Sequence, residues 1–247
     1  MNFLLHRHLA AGELGVVEGV GAMLPDLWRM LDRRLRARRV DSDAAPESVA
    51  ALLVGVEHHL RIDRWFHHDP LFIEGERKLA AAFRDANFQA RRMGLLAHVA
   101  WELCLDGALL HQVGVSETLA ALSQGFEAVR GPSLEATTAL QAPPSLAHDE
   151  LEGLHRRLDR LFDRLLTSDW IPGYQDAVGI AHRLGGVRIR LALDPLDPDD
   201  HRKLVDRLEP ALLEAREVLE PWLEGWARRL ADRHPVAADR QSDPQAL

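Results

Sequence analysis

Apolar residues recur at every third or fourth position along almost the whole chain, the spacing that lines one face of an α-helix. The pattern predicts helices over residues 2–11 and 14–22, then over 27–39 after a break at Pro25-Asp26 in "MLPDL". Proline lacks the amide that a helix interior uses, which is the reason for a boundary there. Over 46–68, Pro46 suits a first helical turn, and the stripe Val49, Leu52, Val56, Leu60 and Trp65 follows it. Asp69-Pro70 reads as a cap and first turn for a helix over 70–87. Further helices are expected at 90–111, 115–129, 147–167 and 173–185, with a long one over 199–232 bent near Pro210 and Pro221. "GVRIRLAL" at 186–193 is the one stretch with a strand-like alternation. The expected fold class is all-α: a compact single-domain multi-helix bundle over 1–232, with 233–247 as a disordered tail.

Two segments interrupt the apolar pattern in a regular way. "HLRIDRWFHHD" places His59, Asp63 and His67 four apart, and "HVAWELCLD" does the same with His98, Glu102 and Asp106. Positions i and i+4 share a helix face, so such a pair can chelate one ion. Residues 95–110 are otherwise apolar, and three titratable groups left unpaired there would cost several kcal/mol. They need partners, and either the other ladder or a metal supplies them. Mixed imidazole and carboxylate ligands suit Mn, Fe or Zn better than Ca or Mg. Divalent cations so held would polarise a phosphoryl oxygen and activate water. A buried His/acid network without metal is the competing reading. His6 and His8 lie two apart, so one helix cannot aim both at one site; one fits a ligand or substrate contact, and the other packing. Asp26 is either a helix cap or a further ligand.

Composition narrows the field without adding chemistry. The 247 residues are 47% hydrophobic and 28% charged, an ordinary globular balance. A net charge of −8 argues against nucleic acid as a partner. The single cysteine, Cys104, excludes an internal disulfide and reads as core packing. The N-terminus does not resemble a signal peptide, and no apolar run approaches about 18 residues. A soluble cytoplasmic protein without a membrane segment is the expectation. Residues 29–39 carry six arginines, Arg29 and Arg33 among them, which suit an acidic docking partner or a phosphate, or simply a solvated face. Arg61, Arg91 and Arg92 lie closer in sequence to the ladders and could clamp phosphate. The stripe Leu154, Leu158, Leu161 and Leu165 and the pair Trp222/Trp226 are core or a homodimer surface.

These residues, in this order, resemble the acyl carrier protein phosphodiesterase family, a branch placed with the HD-type metal-dependent phosphohydrolases. The opening "MNFLLHRHLA" is similar to that family's first segment, and "GAMLPDLWR" to its Gly-x-Leu-x-x-Asp segment. "HLRID" resembles its His-Arg-Arg-Ile-Asp stretch, "HVAWE" its later acidic helix, and "SDWIPGYQDAVGIAHRL" its Trp-x-x-x-Tyr segment. The specific motifs lie in the first 110 residues. By position, His6, His8, Asp26, His59 and Asp63 match. The family's Asp-x-His-Pro is replaced by His67-His68-Asp69-Pro70, and its Asp-x-x-x-Asp-His by His98, Glu102 and Leu103, as in a divergent member.

The resemblance implies an HD-like helical hydrolase that uses a divalent cation, typically manganese, to release phosphopantetheine from holo-acyl carrier protein. The expected partner is thus an acidic carrier protein or a small phosphodiester. The expected metal ligands are His59, Asp63, His67, His98, Glu102, Asp106 and His6. Asp26, Asp63 and Arg61 are expected at the chemistry, and His8, Arg29, Arg33 and Arg92 at the substrate. Two rivals from other classes are a non-catalytic helical binding module and a helical di-iron carboxylate protein.

Overall fold

The computed structural model describes residues 2–41, 45–86, 93–190 and 195–233. Ten α-helices follow one another, and among the described residues no strand forms. They are α1 (Phe3–Glu13), α2 (Val16–Leu31), α3 (Glu47–Phe66), α4 (Pro70–Asp85) and α5 (Met93–Val113). After these come α6 (Val115–Val129), α7 (Pro132–Gln141), α8 (His148–Thr167), α9 (Ala177–Arg190) and α10 (Pro198–Arg233). A 3-10 turn at Pro172–Gln175 precedes α9. One continuous apolar core runs from Phe3 to Trp226 and draws on all ten helices.

The axis of the bundle is α5, which packs against α1, α4, α6, α9 and α10. A helix buried on every side must be apolar on every side. Fourteen of its 21 residues are indeed buried, Glu102 and Asp106 among them. It is the one described helix long and apolar enough to cross a membrane. The sequence expectation that no stretch reaches that length is therefore overturned, and here the surface α5 covers is that of its neighbours. Cys104 is fully buried on it, as core packing requires.

Glycine sets the closest approach. Gly21 of α2 and Gly55 of α3 face one another, and a Cβ on Gly55 would run into the carbonyl oxygen of Glu18. Gly75 of α4 lies under the indole of Trp101 of α5 in the same way. These contacts bring α2 against α3 and α4 against α5 at backbone distance. Each glycine sits within one turn of a residue that matters below: Gly55 of His59, and Gly75 of Glu76.

Three sequence expectations fail for identifiable reasons. The helix expected to break at Pro25 runs through it, because Pro25 and its neighbours Met23, Leu24 and Leu27 are buried and packing outweighs the lost backbone bond. That helix ends at Leu31 rather than 39. The Asp32 carboxylate accepts the Arg34 amide at 2.8 Å and offers the backbone an alternative to another turn. Residues 33–39 are instead strapped across α7 and α8, with Arg34 bonded to Glu150 at 2.8 Å and the Arg38 amide to Gln141 at 2.8 Å. The strand-like "GVRIRLAL" is helical to Arg190, and 191–194 lie outside the described residues. A helix not anticipated, α7, is capped by Gly131, whose φ of +92° suits glycine, and begins at Pro132 in the first turn. The proposed tail lies outside the described residues except Arg233, which closes α10.

Candidate metal centre

The two ladders do not each hold one ion. Successive i+4 steps drift by about 40° around a helix, and His67 is about 12 Å along the axis from His59. The ladder on α3 is accordingly divided. His59 and Asp63 join His6 of α1, while His67 joins His98 and Glu102 of α5. Within each set, one donor atom per residue lies within 4.8 Å of the others.

Asp63 connects the two sets. Its Oδ1 is 3.7 Å from His6 Nε2 and 3.7 Å from His67 Nε2. Glu102 Oε1 is 3.5 Å from both His67 Nε2 and His98 Nε2. These separations exceed ordinary hydrogen bonds, which run from about 2.7 to 3.2 Å. They match the edge of a coordination polyhedron: two donors about 2.1 Å from one cation, at a tetrahedral angle, stand about 3.4 Å apart. The buried Nε2 atoms of His6 and His67 have no hydrogen-bond partner among the described residues. Buried polar atoms are nearly always satisfied, and these four imidazoles and two carboxylates are donors that could hold divalent metal.

Two histidines are held in the orientation a ligand needs. His59 Nδ1 lies 2.9 Å from the Ala22 carbonyl oxygen, which can only accept, so the proton sits on Nδ1 and Nε2 keeps its lone pair. Burial, with His6 beside it, pushes the His59 pKa well down and keeps the ring neutral. His98 Nδ1 lies 3.1 Å from Glu76 Oε2, the carboxylate–histidine arrangement found behind many metal ligands. The sequence reading missed Glu76, which comes from α4. Its one signal is position next to Gly75, where α4 touches α5. Because outer partners of this kind typically carry 10–100-fold in metal affinity, Glu76→Gln is expected to weaken Mn affinity by about tenfold or more. Isothermal titration checks this; an unchanged affinity would remove Glu76 from the centre.

Electrostatics follow the same lines. Burial works to raise the pKa of Asp63, yet His6, His59 and His67 hold it down at about 2. Glu102 is likewise kept well below the usual carboxylate range against burial, with His67 and His98 contributing. Asp26 on α2 differs. Burial raises its pKa, Glu102 and Asp63 add to the rise, and His6 opposes it. Its Oδ2 is shut off from solvent, and its charge is felt by both sets. Three carboxylates gathered in this way repel one another, and a cation relieves that repulsion. The opening lies where side chains are part-exposed: Asp63 at 38%, His67 at 26% and His98 at 27%. Phe72 walls it, 4.6 Å from the His67 ring and 5.0 Å from that of His98.

Several predicted residues lie elsewhere. Asp106 is no ligand, because its carboxylate accepts the amides of Leu5 at 2.9 Å and Leu4 at 3.3 Å, capping α1 from a neighbouring helix. Arg61 turns away: two positions past His59 it faces Glu13, 3.7 Å off, and is largely exposed. Glu13 also meets His58 at 3.3 Å and accepts from Trp226 at 3.1 Å, a strut between α1, α3 and α10. His8 is half-buried in a setting where burial and then Arg7 lower its pKa and Glu117 of α6 opposes, away from its neighbour His6. Arg29 and Arg33 are exposed at and beyond the end of α2. Arg92, like Arg91, lies outside the described residues. Trp222 and Trp226 stack on each other and meet Trp65 at a tilt, as core residues.

The cap at Asp106 yields a stability prediction. Burial raises the Asp106 pKa well above its unfolded value, with the two amides opposing. A raised folded pKa means a contribution present below the unfolded value and lost as pH rises through the folded one. Asp106→Asn, which cannot ionise, should flatten the decline of stability with pH. Asp106→Ala, which orphans both amides, should cost about 1–3 kcal/mol. Thermal melts from acid to mildly alkaline pH check both; a pH profile of Asp106→Asn identical to wild type would refute the assignment.

Comparison of the chain with protein-family models, with curated proteins and with solved structures finds no match in any of the three.

Proposed function

We propose that this chain is a metal-dependent phosphodiester hydrolase with two adjoining cation positions. The observation that carries the reading is the spacing of the donor atoms. Asp63 and Glu102 stand 3.5–3.7 Å from three different Nε2 atoms, too far for a buried hydrogen-bond network and suited to shared coordination. His6, His59 and Asp63 would hold one cation and His67, His98 and Glu102 the other, with manganese, iron and zinc all suited to the donors. Divalent cations, when bound, supply polarisation of a phosphoryl oxygen and activation of water.

The chain's own residues do the rest. Asp63 lies between the sets, so one carboxylate can tie the two positions together. Glu76 and the Ala22 carbonyl fix the tautomers and ring planes of His98 and His59. Phe72 and the buried face of α5 keep water from all but the side where Asp63, His67 and His98 emerge. Asp26, raised in pKa, is the group placed to hold or release a proton beside both sets. With Arg61 engaged by Glu13, no arginine is assigned to the phosphate.

The phosphodiester preference rests on the motif resemblance to acyl carrier protein phosphodiesterases, centred on His6, Asp26, His59 and Asp63. The test is incubation of purified protein with Mn and either bis(4-nitrophenyl) phosphate or holo-acyl carrier protein. Expected results are nitrophenolate release, or conversion to the apo carrier by mass spectrometry, each abolished by chelation and restored by metal. Turnover that persists unchanged after chelation would overturn the proposal.

A further inference from the structure

A second cavity, of about 470 Å³, opens between α2, α5, α8, α9 and the start of α10. That volume is in the range of small-molecule sites, roughly 300–1,000 Å³. Its lining contains Arg164, Arg183, Arg190, His182 and His201, and among the described residues no aspartate or glutamate. Trp170 in its wall has two guanidinium groups over its ring, Arg164 at 5.2 Å and Arg183 at 4.8 Å from the centroid. Contact of this kind holds a planar cation in place without neutralising it. Burial lowers the pKa of both Arg183 and Arg190 while Tyr174 opposes; Arg164 adds to the lowering of the first, which Asp169 also opposes, and Arg33 to that of the second. Three arginines thus converge on one cavity in a chain whose net charge is −8.

The rest of the lining is apolar. Met30, Leu103, Ala181, Pro195 and Leu196 contribute, as does Ile189, which is 63% exposed although large and hydrophobic. The cavity is distinct from the metal centre. Leu103 is turned about 100° around α5 from Glu102, and no member of either His/acid set lines it.

We infer that this cavity binds an amphipathic organic anion, its phosphate, sulfonate or carboxylate head held by Arg164 and Arg183 and its apolar body against Ile189 and Leu196. The forked guanidinium donors suit a tetrahedral or planar oxyanion. An apolar wall beside them explains why a cationic cleft also exposes isoleucine.

The test is isothermal titration of the chelated full-length chain with 1-naphthalenesulfonate, 1-naphthol and inorganic phosphate. Naphthalenesulfonate should bind saturably at one site per chain, with naphthol and phosphate each weaker by about tenfold or more, a difference of about 1.4 kcal/mol. Arg164→Gln and Arg183→Gln should each weaken naphthalenesulfonate by about fivefold or more while leaving Mn binding unchanged. Arg164 is exposed on α8, so its variant tests the idea even if Arg183→Gln misfolds. Equal binding of naphthol and naphthalenesulfonate, equal binding of phosphate, or full affinity in the Arg164 variant would each overturn the inference. Absence of saturable binding at millimolar concentration would do the same.

Discussion

Replacing Asp63 with alanine is expected to remove at least about three orders of magnitude of phosphodiesterase activity, because the variant forfeits metal-assisted chemistry at both positions rather than one. The reason is geometric. Asp63 is 3.7 Å from His6 Nε2 on one side and 3.7 Å from His67 Nε2 on the other, so its loss opens both sets at once. The loss also leaves four imidazoles facing one another with one carboxylate fewer, so any cation that remains is held by less charge. His68 provides the control. It sits one position beyond His67, its Nδ1 lies 2.8 Å from the Arg64 carbonyl oxygen, and it is exposed. His68→Ala should retain wild-type turnover. An Asp63→Ala variant within tenfold of wild type would show that the two sets do not act together.

The second large effect is on stability. Gly55→Ala should destabilise the fold by about 3 kcal/mol or more, at the upper end of overpacking costs, because the new Cβ meets backbone rather than a movable side chain. Its neighbours would be the Glu18 carbonyl oxygen, Gly21 Cα at 2.8 Å and the Ala22 amide at 2.9 Å. A domain with about 5–15 kcal/mol of stability does not absorb such a change lightly. Any protein that folds should bind metal poorly, since separating α3 from α2 pulls His59 from the Ala22 carbonyl that orients it. Gly225→Ala on α10, where a Cβ meets nothing within 4 Å, should instead stabilise by about 0.5–1 kcal/mol. Chemical denaturation of the two variants decides the matter; a Gly55→Ala chain as stable as wild type would contradict the close helix contact.

How much of this was legible in the sequence depends on the range of the interaction. The all-α class was readable because apolar spacing is a local property, as in α8 with Leu154, Leu158, Leu161 and Leu165 all buried on one face. Five of the six residues in the two sets were named from i+4 spacing alone, and His6 from its place in the opening segment. Their grouping was not readable. Spacing says that His59, Asp63 and His67 share a face, whereas the slow drift around α3 sends its two ends to different helices. Asp106 was misassigned for the same reason, since the ladder on α5 continues regularly while its last member reaches the amides of α1 instead. Glu76 and Arg61 show the limit from opposite sides. Only its place beside Gly75 marks Glu76 among the charges of α4, and proximity in sequence to His59 suggests a role for Arg61 that its position on the helix denies. Pro25 taught the converse: a strong local stop is overridden where the proline and the apolar residues around it, Met23, Leu24 and Leu27, are buried.

The central claim is that imidazoles and carboxylates from α1, α3 and α5 enclose divalent cations. Metal content measured by plasma mass spectrometry, after loading purified protein with Mn and exhaustive dialysis, tests it most directly. The account predicts about two equivalents per chain, as sets of three protein ligands hold a cation in catalytic sites, and near none in Asp63→Ala. Wild-type protein that retains no more metal than Asp63→Ala would contradict it.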